Sequence, residues 1–274
     1  MTIDDDNDAG GGAPPPYSSS IHDPHQTFPT LCASIGIDPR LRKSLSRMGI
    51  VRPTLVQSRA IPLAVSSGRD LLVRARTGSG KTLAYTVPVL QKILARKALL
   101  AERRGGGTEV GDDDYCYDDD DGSGRGRGGG GTAVGGVILV PTRELCDQVS
   151  RVLDDLTYYC ADAIKVVVLS SSSSFNNGTK GKRERMRQEA MLRDRPDVVV
   201  ATPAGLVAHV RSGALDLRRT VETLVVDEAD LILSFGEWMR ASVCVRPIIS
   251  YTRIPLYRVY IYLFHSPLMI YNYG

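Results

Sequence analysis

The chain is organised around residues 71–82, which read Leu-Leu-Val-Arg-Ala-Arg-Thr-Gly-Ser-Gly-Lys-Thr. The apolar start predicts a buried strand, the small residues after it allow a tight backbone turn, and the residues from Leu83 onward predict a helix. This order is typical of a phosphate-binding loop, in which amide hydrogens surround a phosphate at the positive end of a helix. Lys81 would reach the outer phosphates, and the Thr82 hydroxyl would ligate Mg²⁺.

The loop departs from the strict motif by one methyl group, because an alanine stands where the first glycine is usual. The alternative is a Gly-Ser turn followed by a surface lysine. The strand before the loop and the helix after it favour the phosphate site. The predicted nucleotide contacts then come from one continuous segment: Ala75, Arg76, Thr77, Gly78, Ser79, Gly80, Lys81 and Thr82.

Composition narrows the class of protein. With 274 residues and 42% hydrophobic content, the chain can bury a core in one large or two small domains. The five cysteines are odd in number and have no Cys-x-x-Cys spacing, which predicts a reducing, intracellular compartment, no zinc and no disulfide partner. The N-terminus has no secretory signal pattern, and no apolar stretch is long enough to span a bilayer, so no membrane association is expected.

Two segments are too polar to build a core. Residues 1–27 are rich in Asp, Gly, Pro and Ser, which predicts a disordered N-terminus. Residues 101–135 hold seven aspartates between Asp112 and Asp121, then a Gly-Arg-Gly-Arg tract, which predicts a flexible insertion. A solvated linker is favoured there over an RNA-binding tract, because the aspartates offset the arginines.

The remaining strands are predicted from short runs that are apolar on both faces. Such runs, alternating with helical patterns, predict an α/β fold with a parallel sheet covered on both sides. In these sheets ligands bind beyond the carboxyl ends of the strands, where the polar clusters of this sequence fall. The runs cover residues 137–140, 164–169, 197–201 and 223–226.

An acidic pair, Asp227 and Glu228, directly follows the last of these strands. Asp227 is placed to hold Mg²⁺ through water against the phosphates bound by Lys81, and Glu228 is placed to polarise the attacking water. The alternative is an ordinary charge pair at a helix N-terminus. Because a phosphate-binding loop is also present, we predict Lys81, Asp227 and Glu228 as catalytic residues.

Asp-Glu-Ala-Asp at 227–230 resembles motif II of the DEAD-box ATP-dependent RNA helicases. Four other stretches resemble further motifs of that family, in the family's order: residues 52–57 the Q motif, 75–82 motif I, 141–145 motif Ia and 202–203 motif Ib. The resemblance covers about residues 32 to 240. It implies a three-layer RecA-like P-loop NTPase domain with a mostly parallel sheet over residues 28–240.

The resemblance also implies roles for particular residues. Gln57 would read adenine with the help of Thr54, since an amide can both donate and accept hydrogen bonds. Thr142, Arg143 and Thr202 would contact RNA phosphates, which carries little base information. The expected cofactors are ATP and Mg²⁺, and the expected partner is RNA.

Residues 36–41 and 225–236 look most like the nucleolar helicases of large ribosomal subunit assembly. This implies a nuclear, nucleolar location and pre-ribosomal particles as partners. The sequence departs from the family pattern at several positions, two of which bear on ligand contacts. The aromatic residue that stacks on adenine would align with Cys32, with Phe28 out of register, and the expected motif Ib arginine is Gly205.

Beyond about residue 239 the family pattern stops, and no Ser-Ala-Thr motif III follows. Residues 238–274 contain no Asp or Glu and hold six of the chain's 12 tyrosines. We therefore expect an unrelated, apolar, Tyr-rich tail at 241–274, in which the run from Val259 to Phe264 is an aggregation hazard. We also expect that the chain is truncated and lacks the second RecA-like domain with its arginine finger.

Two functions follow. One is an ATP-dependent RNA helicase whose chain is incomplete and cannot unwind RNA alone. The other is a non-catalytic RNA- or partner-binding fragment that competes with the full-length helicase. An unrelated P-loop ATPase is disfavoured, because it leaves Gln57, Arg143 and Thr202 without a role.

Overall fold

The computed structural model describes residues 21–66, 70–105, 134–170, 179–217, 220–234, 259–264 and 269–273. The predicted disorder of residues 1–20 and the predicted flexibility of residues 106–133 therefore fall outside the described residues.

The described residues form helices and strands in the α/β alternation that the sequence predicts. In those ranges no helix is long and apolar enough to cross a membrane. The elements are α1 (Phe28–Ser34), α2 (Pro39–Arg47), α3 (Leu55–Ser66), β1 (Asp70–Arg74), α4 (Lys81–Gly105), β2 (Gly136–Leu139), α5 (Arg143–Thr157), β3 (Val166–Leu169), α6 (Thr179–Arg193), β4 (Val198–Ala201), α7 (Pro203–Arg211), β5 (Thr223–Val226), α8 (Ala229–Ser234), β6 (Val259–Phe264) and β7 (Met269–Tyr273).

The strands form one sheet in the order β3-β4-β2-β5-β6-β1-β7. Every neighbouring pair from β3 to β1 is parallel, and only β7 runs antiparallel, against β1. The carboxyl ends of six strands therefore lie at one edge of the sheet. This confirms the predicted, mostly parallel α/β fold.

Helices cover both faces of the sheet, which gives three layers with the sheet in the middle. Because side chains alternate along a strand, Val198 and Val200 contribute to one apolar cluster while Val199 and Ala201 contribute to the other. The first cluster contains buried residues of α1 to α5, and the second contains buried residues of α6, α7 and α8. Strands that are apolar on both faces are thus explained by burial on both faces.

Capping side chains lie at the start of several helices. Asp38 accepts a hydrogen bond from the backbone N–H of Arg40, and Pro39 follows in the first turn of α2. Thr142 accepts from the N–H of Leu145 at the start of α5. These caps are local interactions, which is why the sequence alone indicates them.

The boundaries of the polar segments need correction. Residues 21–27, predicted as disordered, run beside the segment before α3. The N–H of Leu55 donates to the carbonyl of Ile21 at 3.0 Å, and the N–H of Asp23 donates to that of Pro53 at 2.9 Å. Backbone pairing of this kind does not depend on side-chain type, so composition did not reveal it.

The ends of the predicted insertion are also ordered parts of the domain. Helix α4 continues to Gly105, and Val134 is fully buried. The N–H of Gly135 donates to the carbonyl of Asp197 at 2.9 Å. The polar stretch between them is therefore shorter than the predicted range of 101–135.

The predicted tail contributes two strands to the sheet. Strand β6 lies between β5 and β1 and is parallel to both, with Ile261 opposite Leu71 on one side and Val225 on the other. A β-prone apolar run suits a central strand as well as it suits an aggregating segment. The sequence pattern alone could not separate the two.

The central position of β6 predicts that a proline there unfolds the domain more readily than one at the edge. Ile261→Pro removes a backbone donor between two partner strands and is expected to lower the free energy of unfolding by about 3 kcal/mol or more. Asn272→Pro in β7, which has one described partner strand, is the matched control and should cost less. Urea denaturation measures both, and equal midpoints for Ile261→Pro and the parent chain would contradict the placement of β6.

Candidate functional site

The phosphate-loop segment connects β1 to α4 at the carboxyl edge of the sheet. Gly78 and Gly80 have φ angles of +77° and +84°, in the left-handed region that glycine adopts without strain. The N–H of Ser79 donates to the carbonyl of Arg76 at 3.3 Å and tightens the turn. The structure therefore places the small residues of the segment where the backbone requires them.

Lys81, the first residue of α4, is 7% exposed, and its Nζ has no hydrogen-bond partner among the described residues. The buried Ser79 hydroxyl likewise has no partner in the part of the chain that the structure describes. Buried polar groups in proteins are nearly always paired, and an unpaired buried cation is costly. A phosphate group would supply the missing acceptor, so these residues fit the predicted nucleotide.

Thr54, directly before α3, and Gln57, in its first turn, form a reciprocal cap. Thr54 Oγ1 accepts from the N–H of Gln57 at 3.3 Å, and Gln57 Oε1 accepts from the N–H of Thr54 at 2.8 Å. This capping box holds the Gln57 amide in a defined orientation, and the side chain is only 3% exposed.

The Gln57 amide also reaches the phosphate loop. Its Nε2 donates to the carbonyl of Gly80 at 3.0 Å, which joins α3 to the residue before Lys81. An amide has two donor hydrogens and two acceptor lone pairs, and these contacts use one of each. One donor and one acceptor thus remain for an adenine edge, and the adenine-reading role of Gln57 and Thr54 stays a prediction.

Asp227 follows β5 at the same edge of the sheet and is 8% exposed. Its Oδ1 accepts from the N–H of Glu228 at 2.9 Å, and its Oδ2 accepts from the Tyr85 hydroxyl at 3.0 Å. Its own N–H donates to the carbonyl of Leu139 at 2.9 Å. With the Thr82 hydroxyl, this carboxylate supplies the oxygen donors that Mg²⁺ prefers.

Glu228 has a φ of +50°, which is uncommon for a residue other than glycine. Such a conformation is unfavourable by about 1–2 kcal/mol and persists where the surrounding structure imposes it. Here the bond from its N–H to the Asp227 carboxylate and the start of α8 at Ala229 impose it.

Tyr85 is the residue of this site that the sequence analysis missed. It lies four residues after Lys81 on α4, is fully buried, and contacts the carboxylate of Asp227. Burial, followed by the Asp227 charge, raises the pKa of Tyr85 well above its usual value. Its position one helical turn after Lys81 was the available signal, but a tyrosine in an apolar helix is equally typical of core packing.

The predicted RNA-contacting residues lie at the same edge, at two helix N-termini. Thr142 and Arg143 are exposed at the start of α5. Thr202 is 6% exposed at the start of α7 and accepts from the N–H of Gly205 at 3.2 Å. The structure thus brings the three residues to one edge but presents only Thr142 and Arg143 openly to solvent.

The two candidates for the adenine-stacking position are both core residues. Phe28 and Cys32 are 1% and 2% exposed and belong to the same apolar cluster. Burial raises the pKa of the Cys32 thiol to about 11. An exposed stacking surface at either residue is therefore absent from this structure.

The sequence profile of the DEAD/DEAH box helicases matches residues 54–250, which include the Thr54 cap, the phosphate loop and the acidic pair. This chain belongs to the DEAD/DEAH box helicase family. The matched range continues past residue 240, where the sequence analysis ended the resemblance.

Curated relatives of this helicase domain include two types of ATP-dependent RNA helicase. A protein of Dictyostelium discoideum, "Probable ATP-dependent RNA helicase ddx56", is 37% identical over 219 residues, which cover 80% of this chain and 26% of the relative. The dbp9 helicase of Emericella nidulans is 39% identical over 214 residues, covering 78% and 28%. The dbp9 helicase of Schizosaccharomyces pombe is 37% identical over 204 residues, covering 74% and 28%. The chain thus spans about a quarter of the length of these relatives.

A solved structure of Saccharomyces cerevisiae Dbp5, described as bound to Gle1 and IP6, has the same fold. The TM-score is 0.55 at 18% sequence identity, and the match covers 84% of this chain and 46% of that one. At this identity the likeness supports the RecA-like fold alone.

The contact between Gln57 and the phosphate loop makes a testable difference between two glycines. A Cβ on Gly80 would overlap Gln57 Nε2, whereas a Cβ on Gly78 would meet nothing within 4 Å. Both substitutions to alanine are unfavourable by about 1–2 kcal/mol because φ is positive. We expect Gly80→Ala to lower the free energy of unfolding further, since it also displaces the amide.

Urea denaturation of Gly80→Ala and Gly78→Ala measures the difference. Adding Gln57→Ala to each variant should remove the excess cost at Gly80. An equal cost for the two glycine substitutions would mean that Gln57 does not contact the loop in solution.

Proposed function

We propose that this chain is the ATP-binding domain of a DEAD-box RNA helicase, which binds ATP with Mg²⁺, holds RNA by its backbone, and takes part in ATP hydrolysis coupled to RNA remodelling. The observation that carries the proposal is the buried Lys81 ammonium, which has no partner in the described part of the chain. It lies at the N-terminus of α4, where helix dipole and backbone amides also favour an anion.

The phosphate loop would orient the nucleotide. Backbone N–H groups of residues 75–80 would surround the phosphates, and Lys81 would offset the charge of the outer phosphates. Thr82 and, through water, Asp227 would hold Mg²⁺, which supplies charge neutralisation at the transferred phosphoryl group. Tyr85, one turn after Lys81 on the same helix, donates to the Asp227 carboxylate, which supports the assignment of the loop and the acidic pair to one site.

Glu228 would act on the attacking water. A carboxylate directly after the Mg²⁺-holding Asp227 can accept a proton from water or orient it toward the terminal phosphate. The strained backbone of Glu228 fixes where its side chain leaves the main chain. Such strain is concentrated at functional sites, which supports the catalytic assignment.

RNA would bind along the carboxyl edge next to the nucleotide. Thr142 and Arg143 are exposed at the N-terminus of α5, and the N-terminus of α7 lies at the same edge. Helix N-termini and arginines contact phosphates, so binding would be largely independent of base sequence. The stretches 36–41 and 225–236 resemble the nucleolar helicases of large ribosomal subunit assembly, so we infer pre-ribosomal RNA as the target and the nucleolus as the location.

The test measures ATP binding with Mg²⁺, RNA binding and RNA-stimulated hydrolysis on the same purified chain. Lys81→Ala should weaken ATP binding by about tenfold or more, because it removes a charge-assisted contact. Lys43→Ala, an exposed lysine on α2, is the matched control and should leave ATP binding unchanged. Glu228→Gln should retain ATP binding and reduce any hydrolysis.

The outcomes separate the candidate functions. ATP binding that Lys81→Ala weakens by about tenfold or more, together with RNA binding, supports the proposal. RNA binding without ATP binding would favour the non-catalytic alternative, a fragment that competes with a full-length helicase. Equal ATP affinity in Lys81→Ala and the parent would show that the phosphate loop is misassigned.

A further inference from the structure

Helix α6 carries a basic face at the edge of the sheet where RNA is proposed to bind. Lys182, Arg183 and Arg187 are exposed and lie on one side of the helix, around Met186, which is 61% exposed. We call these four residues the α6 basic face. Nothing in the helicase motifs assigns a role to it.

The acidic residues of α6 offset this face only in part, because Glu189 is paired with Arg185 and Glu184 is a single carboxylate beside three exposed cations. Glu184 Oε1 accepts from Gln188 Nε2 at 3.2 Å, and Glu189 pairs with Arg185 at 3.1 Å. Gln188 is 2% exposed, so the first contact is directed toward the protein. The exposed basic side chains therefore form a positively charged stripe.

Hydrogen bonds join α6 to the last turn of α7 and to the end of β3, which also contacts the residue that starts α7. Gln188 Nε2 donates to the carbonyl of Ser170, directly after β3, and Gln188 Oε1 accepts from the ring Nε2 of the buried His209 on α7. The N–H of Thr202 donates to the carbonyl of Leu169, the last residue of β3. The end of β3 thus touches both α6 and the start of α7.

The position of the Gln188 contacts shows how far α6 extends beyond the carboxyl edge of the sheet. The helix leads from the carboxyl edge at β3 back to the start of the parallel strand β4, and Gln188 is level with the end of β3. The nine residues 179–187 precede Gln188 and rise about 13 Å at 1.5 Å per residue. The α6 basic face therefore borders and projects past the edge that holds Thr202.

We propose that the α6 basic face binds the phosphate backbone of the RNA strand that passes the N-terminus of α7. This inference rests on the proposed function. Lysine and arginine neutralise phosphates without regard to base sequence, and Met186 offers an apolar surface to a ribose or base. The face would thereby lengthen the RNA contact beyond the two helix N-termini.

The test is the salt dependence of binding to a fluorescein-labelled single-stranded poly(U) oligonucleotide. A Lys182→Gln, Arg183→Gln, Arg187→Gln variant should bind about tenfold more weakly at low salt, and its plot of log affinity against log salt should be shallower by about 2 units. The matched control removes three exposed charges elsewhere: Arg42→Gln on α2, with Arg193→Gln and Arg211→Gln in the last turns of α6 and α7. It should bind like the parent.

Equal salt slopes for the variant and the control would overturn the inference, whereas absent RNA binding by the parent chain would contradict the proposed function itself. Poly(glutamate) is the second probe. If the variant loses poly(glutamate) binding but retains full RNA affinity, the face binds acidic proteins and the RNA assignment is wrong.

A different observation, inside the nucleotide site, carries a second inference. The Tyr85 hydroxyl donates to Asp227 Oδ2 at 3.0 Å. Tyr85 lies three residues after Thr82 on α4, so the helix that begins at the phosphate loop contacts the carboxylate that would hold Mg²⁺. Because β6 separates β1 from β5, the two motifs follow strands about 10 Å apart, and a side chain from α4 connects them.

We infer that Tyr85 is a positioning residue, which orients the Asp227 carboxylate for Mg²⁺. Partners of this kind orient the ligands of a metal, and their loss lowers metal affinity by about 10–100-fold. The buried ring has no other polar group, so a phenylalanine would retain the packing and remove only the hydroxyl.

The test compares binding of a fluorescent ADP analogue by Tyr85→Phe and the parent chain over a range of Mg²⁺ concentrations and in EDTA. In Tyr85→Phe, the Mg²⁺ concentration that gives half of the maximal increase in nucleotide affinity should rise by about tenfold. The affinity for the nucleotide in EDTA should be unchanged. Tyr158→Phe, an exposed tyrosine, is the control for the substitution itself.

In an Asp227→Ala background, Tyr85→Phe should have no further effect on Mg²⁺ dependence if it acts through that carboxylate. An unchanged Mg²⁺ requirement, or an equal loss of affinity in EDTA, would overturn this inference. Loss of nucleotide binding by the parent chain would instead contradict the proposed function.

Discussion

Parallel hydrogen bonding across the sheet is the constraint on which the site depends. Six neighbouring strands run in one direction, so the segments that follow them emerge at a common edge. The phosphate loop follows β1, Asp227 follows β5, and the N-termini of α5 and α7 follow β2 and β4. These residues are far apart along the chain, and only the shared strand direction brings them together.

A small number of hydrogen bonds then joins these segments into one site. Gln57 links the cap of α3 to Gly80, and Tyr85 links α4 to Asp227. Both bonds are between groups that are largely buried, where loss of one partner leaves the other unsatisfied. The loop and the acidic pair are therefore held in position before any ligand binds, while the Lys81 ammonium is held without a partner. Preorganisation of this kind reduces the cost of binding.

Much of the fold and the site could be predicted from local patterns. Short runs such as Thr223–Val226 are apolar on both faces, and this property follows from burial in a parallel sheet. The caps at Asp38, Thr142 and Thr202 lie within three residues of the N–H groups that they accept from. The alternation of strands and helices predicts that the strands are parallel. The loop, the acidic pair and the helix N-termini each follow a strand, so the sequence predicts that they lie at one edge of the sheet.

Features that depend on partners distant in sequence were decided by the tertiary structure. The run from Val259 to Phe264 is strongly β-prone, but its place between β5 and β1 requires two strands that lie more than 30 residues away and can be recognised only once they pair. Tyr85 has the helical spacing of a core residue, and its contact with Asp227 spans 142 positions. The sequence determined the element types and the chemistry available at their ends, because these depend on neighbouring residues. The tertiary structure decided which side chains meet, because long-range contacts depend on packing that no local pattern encodes.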